Sequence, residues 1–222
     1  MKGQIVLVTG TSGSGKTTTC ATFARRAAEP YLMFGMDLLV GTLFPAKYTM
    51  FGEKRSEGYS PTQYGPACIK ALEAMHEMVA AASRVGQGTV VDHLLSIDPP
   101  VLQDCIWRMV DVPVLLVCLK PSRDVLEKRV RERQIDFIPP PIKEAMAGAA
   151  SNILEQLGEE LAAATPWLYE RVYANDCYDL MLDTSTLRPE EVCERIEQRL
   201  KQGPGTAFET LRKRYPRPKE FT

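Results

Sequence analysis

A glycine-rich loop near the start of the chain limits the possible folds more than any other segment. Residues 10–17 read Gly-Thr-Ser-Gly-Ser-Gly-Lys-Thr and satisfy the pattern G-x-x-x-x-G-K-[ST]. A β-branched run over 5–8 precedes the loop, and a helical pattern begins at Lys16. A dinucleotide-binding loop does not fit, because Thr18 stands where G-x-G-x-x-G requires its third glycine. The order of strand, loop and helix therefore predicts a phosphate-binding loop in an α/β protein.

Each residue type in this loop suits an anion site. Glycines allow consecutive backbone N–H groups to curl around an anion, and the helix that follows adds its positive end. We expect Lys16 to bridge the β- and γ-phosphates of a nucleotide, and Thr17 to offer its hydroxyl to Mg²⁺. The predicted phosphate-binding residues are Gly10, Thr11, Ser12, Gly13, Ser14, Gly15, Lys16, Thr17 and Thr18.

Apolar runs and helical patterns alternate along the rest of the chain. Strands are expected over 5–8, 31–36, 89–92, 112–119 and 178–182, with helical segments between them. Such alternation predicts βαβ units and a parallel sheet covered by helices on both faces. The expected fold is a three-layer α/β/α domain with a five-stranded parallel sheet.

Breaks in the pattern of strands and helices indicate how the chain is organised. We expect one domain over 1–202, with an insertion over 38–65 and a helical lid over 129–143. A basic tail over 203–222 carries Gly-Pro-Gly and Pro-Arg-Pro. We interpret this tail as a solvated segment, with docking to a partner or covering of the site as the alternative.

Charge and cysteine content exclude several classes of protein. The 222 residues include 27 basic and 28 acidic side chains, a balance unlike the basic excess of proteins that bind long nucleic acids. Six cysteines without a C-x-x-C pair and only two histidines offer no zinc ligand set, so we expect free thiols. The first apolar run is too short for a secretory or membrane-spanning segment. These features predict a cytoplasmic protein without a membrane anchor.

Two aspartates follow predicted strands and are candidates for catalytic roles. Asp92 ends the third strand, where a carboxylate can hold Mg²⁺, and its alternative role is a helix cap or turn. Asp37 ends the second strand and is a candidate general base, with a buried turn aspartate as the alternative. For His93, next to Asp92, we expect local packing rather than contact with a substrate.

Arginines in the predicted lid are candidates for binding phosphoryl charge. Arg129 and Arg133 are four residues apart and share a helix face, so both can reach one phosphate group. A lid that closes over a nucleotide also excludes water. The alternative is a solvent-exposed face of ion pairs with Glu127 and Glu132.

Four segments together resemble the chloramphenicol phosphotransferase-like P-loop kinases. Residues 29–39, Glu-Pro-Tyr-Leu-Met-Phe-Gly-Met-Asp-Leu-Leu, are similar to the family segment E-P-W-L-x-F-G-x-D-x-L. Residues 89–92, Thr-Val-Val-Asp, resemble the family strand that ends in Asp-Asp. Residues 127–133 are similar to the lid entry E-x-R-E-x-x-R-G-D-R, and 178–185 to the ending Y-D-x-x-V-D-T-S. The resemblance covers about residues 4–200.

The resemblance implies transfer of the γ-phosphoryl group of ATP to a primary hydroxyl of a small molecule. It also implies a sheet of the nucleoside-monophosphate-kinase type and places Asp37 at the position of the family's catalytic base. The chain departs from the family at His93, which replaces the second aspartate of the pair. It departs again at 133–136, where Arg-Gln-Ile-Asp replaces Arg-Gly-Asp-Arg.

The sequence therefore predicts an O-phosphotransferase that uses ATP and Mg²⁺. A chloramphenicol-like antibiotic is the leading acceptor, and antibiotic resistance, self-protection and metabolism are the roles left open. The acceptor pocket is expected between 38–65 and 137–164, whose Phe, Tyr, Met and Pro content suits an apolar ligand. The alternatives are a P-loop kinase for a nucleotide, sugar or RNA end, and a nucleotide-binding regulator without transfer chemistry. The pattern does not decide between a monomer and a homo-oligomer.

Overall fold

The computed structural model describes residues 1–36, 39, 66–132 and 166–218. The strands in these residues are β1 Ile5–Thr9, β2 Tyr31–Gly35, β3 Gly88–His93, β4 Val114–Leu119 and β5 Leu180–Leu182. The helices are α1 Lys16–Arg26, α2 Pro66–Arg84, α3 Val101–Arg108, α4 Arg123–Arg131, α5 Pro189–Leu200 and α6 Ala207–Arg214, and residues 166–172 are also helical. Almost all of the predicted insertion and most of the predicted lid lie outside the described residues.

The strands form one parallel sheet in the order β2-β3-β1-β4-β5. β1 and β4 are buried along their whole length, as continuous apolar runs inside a parallel sheet are. Val8 of β1 and Gly35 of β2 both lie beside Asp92 of β3 in the strand register. The carboxyl ends of these strands therefore meet at one edge, and the predicted five-stranded parallel sheet is confirmed.

Alternating side chains divide the core between the two faces of the sheet. Ile5 and Leu7 of β1 belong to a buried cluster with residues of α2, α3 and α6. Val6 and Val8 belong to a second buried cluster with residues of α1 and α5. Successive side chains of a strand point to opposite faces, so each cluster is the contact between the sheet and one layer of helices. The predicted three-layer architecture is confirmed.

One buried carboxylate joins β4, β5 and α6. The Oδ2 atom of Asp179 accepts a hydrogen bond from the Leu116 N–H at 2.8 Å, and the Asp179 N–H donates to the Leu116 carbonyl at 2.9 Å. Its Oδ1 atom accepts from the N–H groups of Thr206 and Ala207, at 2.7 and 3.0 Å, where α6 begins. β5 begins later than predicted because this side chain takes the place of a backbone acceptor.

The segment expected to be a solvated basic tail contains a helix that packs against the core. Ala207, Phe208 and Leu211 of α6 are 3%, 4% and 0% exposed. The Trp107 Nε1–H donates to the Tyr215 carbonyl at 3.0 Å, just beyond the helix. The expectation is wrong for residues 207–214, because the basic side chains of α6 share the helix with a short apolar face.

The cysteines agree with a further expectation from the sequence. All six cysteines are free, and five of them are buried, as small hydrophobic side chains usually are. Within the described ranges, no helix is both long enough and apolar enough to cross a membrane.

Candidate active site

The loop between β1 and α1 has the backbone that an anion site requires. Gly15 precedes α1 with a φ of 95°, in the left-handed region that favours glycine. A Cβ atom at Gly10 would lie 2.6 Å from the Leu119 carbonyl oxygen, so only glycine allows the loop to pass so close to β4. The first turn of α1 contains no acidic residue. The positive end of this helix is therefore available to a phosphate group.

Lys16, Thr17 and Asp92 meet where this loop joins α1. Parallel pairing of β1 with β3 brings Asp92 to this edge, where the Thr17 hydroxyl donates a hydrogen bond to Asp92 Oδ2 at 2.5 Å. Lys16 Nζ lies 3.9 Å from Asp92 Oδ1 and donates to the Thr11 carbonyl at 2.9 Å. Asp92 belongs to β3 rather than to the start of a helix. Asp92 therefore does not cap a helix.

These groups fit nucleotide phosphates and Mg²⁺. The hydroxyl of Thr17 and the carboxylate of Asp92 are hard oxygen ligands, and Mg²⁺ takes only one or two protein oxygens when phosphates supply others. The side chains of Lys16 and Asp92 are each only 11% exposed, so charges interact more strongly here than in water. Ser14 Oγ is buried and has no hydrogen-bond partner among the residues that the structure describes.

A cleft of about 350 Å³ lies over the loop. One wall consists of residues 12–19, and the other contains Arg129, Thr184, Leu187, Pro189 and Val192. The Thr184 hydroxyl donates to the Ser14 carbonyl at 2.9 Å and so ties the second wall to the loop. No sequence motif assigns a function to these residues after β5, although a polar segment at the carboxyl end of a strand is a signal that could have identified them.

Of the two arginines predicted to act together, only Arg129 lies in the described residues. Arg129 Nη2 donates to the Thr184 carbonyl at 2.8 Å, which holds its guanidinium group at the cleft wall. Arg133 lies outside the described residues. The acidic partners of the alternative interpretation have other ion pairs: Glu127 with Arg123 at 3.4 Å, and Glu132 with Lys128 at 3.8 Å.

Comparison with family models identifies the chain. The model of the chloramphenicol phosphotransferase-like proteins matches residues 3–201. The chain belongs to this family. The resemblance found in the sequence is thereby confirmed, and the loop described above is the phosphate-binding loop of a chloramphenicol phosphotransferase-like protein. A search of curated protein sequences finds no match.

Solved structures share the fold at low sequence identity. The APS kinase of Mycobacterium tuberculosis, in complex with AMPPNP and APS, is 14% identical with a TM-score of 0.60, over 90% of this chain and 98% of that chain. The tunicamycin resistance protein of Deinococcus radiodurans is 16% identical with a TM-score of 0.53, over 92% and 99%. Shikimate kinase from Bacteroides thetaiotaomicron is 17% identical with a TM-score of 0.51, over 90% and 99%. The fold is that of P-loop kinases, and with the family it supports a kinase-type phosphotransferase.

A tyrosine far along this chloramphenicol phosphotransferase-like chain contacts the phosphate-binding loop. Tyr173 follows the helical residues 166–172 and donates from its hydroxyl to the Leu119 carbonyl at 2.7 Å. The same hydroxyl accepts a hydrogen bond from the Thr11 N–H at 3.2 Å. Burial raises the pKa of Tyr173 to about 12, so the hydroxyl keeps its proton. Sequence analysis did not select Tyr173, because no spacing or motif relates it to residue 11.

His93, at the position of the family's second aspartate, faces away from the cleft and into a buried polar chain. Its Nε2 atom lies 2.6 Å from Nε2 of His76, and Nδ1 of His76 lies 2.6 Å from Asp104 Oδ2. The Arg108 Nε–H then donates to both oxygens of Asp104, at 2.8 and 2.9 Å. His93 is 1% exposed. The structure therefore favours the packing role for His93 over contact with a substrate.

The direction of each hydrogen bond between these buried side chains follows from the bond between Leu94 and His93. Burial, together with the nearby His76 and Lys16, holds the pKa of His93 well below its ordinary value, so the ring is neutral. Its Nδ1 accepts from the Leu94 N–H at 2.9 Å, which leaves the proton on Nε2. His93 therefore donates to His76, and His76 donates to Asp104. Burial alone would raise the pKa of Asp104, but the hydrogen bonds from His76 and Arg108 hold it below its ordinary value.

The same cluster holds two histidines and a cysteine close together, a grouping that their spacing in the sequence does not indicate. Ligand atoms of His76, His93 and Cys105 all lie within 4.8 Å of one another. However, the ring nitrogens of both histidines are already engaged in the hydrogen-bonded chain. The arrangement suits a chain of hydrogen bonds rather than a metal ion.

The predicted general base, Asp37, lies outside the described residues. The last residue of β2, Gly35, lies beside Asp92 in the sheet register. Of the predicted site residues, the structure thus brings together those of the loop, Asp92 and Arg129.

Proposed function

We propose that this chain transfers the γ-phosphoryl group of ATP to a hydroxyl group of a small molecule, with a chloramphenicol-like antibiotic as the leading acceptor. The observation that carries the proposal is the meeting of Lys16, Thr17 and Asp92 beside the cleft of a chloramphenicol phosphotransferase-like protein. The γ-phosphoryl group is strongly charged throughout its transfer. The reaction therefore needs positive charges that are in place before the phosphoryl group moves.

The cleft offers such charges from two sides. Lys16 is held at the loop by its hydrogen bond to the Thr11 carbonyl and its proximity to Asp92. Arg129 is held on the opposite wall by the Thr184 carbonyl. Mg²⁺, which Thr17 and Asp92 would hold, supplies further neutralisation of phosphate charge when it is bound. Charges fixed by the fold need no reorganisation during the reaction.

We assign Asp37 as the general base. It follows Gly35 by two residues, and Gly35 pairs with Asp92 at the edge that carries the phosphate-binding loop. Asp37 is therefore close in sequence to the paired ends of β2 and β3. A carboxylate here accepts the proton of the acceptor hydroxyl as its oxygen attacks the phosphorus atom.

We also propose a cytoplasmic location and a role in resistance. All six cysteines are free, which is usual for a protein in a reducing compartment. A doubly charged phosphoryl group on an antibiotic hydroxyl would prevent that hydroxyl from entering an uncharged binding site.

The proposal is tested by incubating the protein with ATP, Mg²⁺ and a panel of hydroxylated antibiotics, nucleosides, sugars and short RNAs. Mass spectrometry then detects the phosphorylated acceptor, and we expect product from chloramphenicol or a related antibiotic. We expect Asp37→Asn to abolish product while the Kd for ATP changes by less than about threefold, since the base does not hold the nucleotide. The matched control is Asp124→Asn, in the exposed first turn of α4, which should form product at the normal rate.

Each other result of this experiment assigns a different function. Product from a nucleoside, sugar or RNA end alone would retain kinase chemistry and reject the antibiotic acceptor. ATP binding without any product would favour a nucleotide-binding regulator. Normal product formation by Asp37→Asn would reject Asp37 as the base.

A further inference from the structure

We propose that Tyr173 is a positioning residue for the phosphate-binding loop, and that its hydroxyl fixes the Thr11 backbone in the form that binds ATP. The inference rests on the proposed function, because it assumes that nucleotide phosphates bind to the loop. Tyr173 and Thr11 are far apart in sequence, but the Tyr173 hydroxyl lies 3.2 Å from the Thr11 nitrogen.

The direction of each hydrogen bond is fixed by chemistry. The Leu119 carbonyl can only accept, so the single proton of the Tyr173 hydroxyl is donated to it, at 2.7 Å. The Thr11 N–H can only donate, and it donates to the hydroxyl oxygen. The Thr11 hydroxyl, 3.3 Å away, is then also a donor to the same oxygen. One partly buried hydroxyl thus joins the first residues of the loop to the end of β4.

Thr11 is held on its other side by the catalytic machinery. Its carbonyl accepts the hydrogen bond from Lys16 Nζ at 2.9 Å. A shift of the Thr11 peptide would therefore displace the acceptor that orients the Lys16 ammonium group. A Cβ atom added to Gly10, the preceding residue, would lie 2.6 Å from the Leu119 carbonyl oxygen. The junction between the loop and β4 is therefore tightly packed. Tyr173 acts on the nucleotide through Thr11 and Lys16.

The Tyr173 ring has packing contacts that do not depend on its hydroxyl. It packs edge-on against Tyr169, with ring centroids 4.6 Å apart. Lys120 Nζ lies 5.3 Å from the centroid of the Tyr173 ring and 5.8 Å from that of Tyr169. Replacement by phenylalanine keeps these contacts and removes only the hydroxyl. Tyr169→Phe is the matched control, because among the described residues the Tyr169 hydroxyl has no hydrogen bond.

The experiment measures the Kd for ATP in the presence of Mg²⁺ by calorimetry, together with the midpoint of thermal unfolding. We expect Tyr173→Phe to raise the Kd about tenfold, which corresponds to about 1.4 kcal/mol. We expect Tyr169→Phe to leave the Kd within about twofold of the unsubstituted protein. Where an acceptor is known, the KM for ATP should rise while the KM for the acceptor stays unchanged.

The outcomes separate this inference from the proposed function. If the unsubstituted protein does not bind ATP, the proposed function fails, and this inference fails with it. If it binds ATP and Tyr173→Phe binds equally well, only the positioning role is overturned, even when the unfolding midpoint falls. If both phenylalanine variants weaken binding equally, the hydroxyl of Tyr173 has no special role and the inference is also overturned.

A measurement on the unsubstituted chain keeps the inference testable if Tyr173→Phe does not fold. Hydrogen exchange followed by NMR reports whether the Thr11 amide is protected in the nucleotide-free protein. Protection of this amide, at least tenfold above that of an unstructured peptide, supports the hydrogen bond to Tyr173. Unprotected exchange would overturn the inference.

Discussion

Asp92 and His93 are neighbours on β3, are almost equally inaccessible, and have opposite surroundings. Asp92 is 8% exposed and His93 is 1% exposed. Asp92 faces a hydroxyl and an ammonium group beside an open cleft, whereas His93 faces a closed chain of hydrogen bonds. Strand alternation sends the two side chains to different faces of the sheet. Burial alone therefore does not identify a functional polar residue; what matters is whether its partners can be exchanged for a ligand.

The largest effect is expected at Asp92. Asp92→Asn keeps the size of the side chain and removes the charge that would hold Mg²⁺, so phosphoryl transfer should fall by about 10²–10³-fold. The free energy of unfolding should change by less than about 1 kcal/mol, because an amide can still accept from Thr17. Activity as a function of Mg²⁺ concentration and denaturant unfolding together test this. Asp98→Asn is the control, since the Asp98 side chain is 81% exposed.

On the other side of the strand, the effect should be on stability rather than on catalysis. His76→Ala leaves the buried Nε2–H of His93 without an acceptor and removes one hydrogen bond from Asp104, which keeps Arg108, so we expect a loss of about 3 kcal/mol in the free energy of unfolding. The Kd for ATP should change by less than about twofold at a temperature where the variant is folded. The control is Met78→Ala, at a position of α2 that is 38% exposed. An unchanged stability would mean that the hydrogen-bonded chain contributes nothing to the fold.

The smallest effect, at Asp104, should depend on pH. Because hydrogen bonds lower the pKa of Asp104 in the folded chain, its carboxylate stabilises the fold above the unfolded pKa of about 4. This contribution is lost as the pH falls through the lower, folded pKa. Asp104→Asn should cost about 1–2 kcal/mol at pH 7, and the difference from the unsubstituted chain should shrink below about pH 4. Urea unfolding at several pH values measures the free energy of unfolding of both proteins. A difference between them that does not change with pH would contradict the lowered pKa of Asp104.

The loop, the sheet and the position of Asp92 could be predicted because each follows from a local pattern. A glycine-rich loop of this pattern between a strand and a helix usually binds phosphate, and the carboxyl ends of parallel strands must meet at one edge of the sheet. Tyr173 and the partners of His93 could not be predicted in this way. Their contacts join segments that come together only when the layers of the fold pack. A single tyrosine or histidine belongs to no sequence pattern that would predict such contacts.

The C-terminal helix shows how composition can mislead. The basic residues after residue 202 predicted a segment exposed to solvent. Three apolar side chains of α6 instead pack into the core. A short apolar face carries more burial energy than surface charges cost, because long basic side chains can reach water from the edge of a buried helix.

The position of α6 after Asp179 also gives an order in which the two faces of the sheet can be completed during synthesis. Chains are made from the N-terminus, and the helices α1 and α5 that cover one face of the sheet both precede residue 201. The opposite face needs α6, whose first N–H groups are held by Asp179. The face that carries α1 and α5 can therefore pack before α6 is synthesised, while the opposite face still exposes the apolar side chains that α6 will cover.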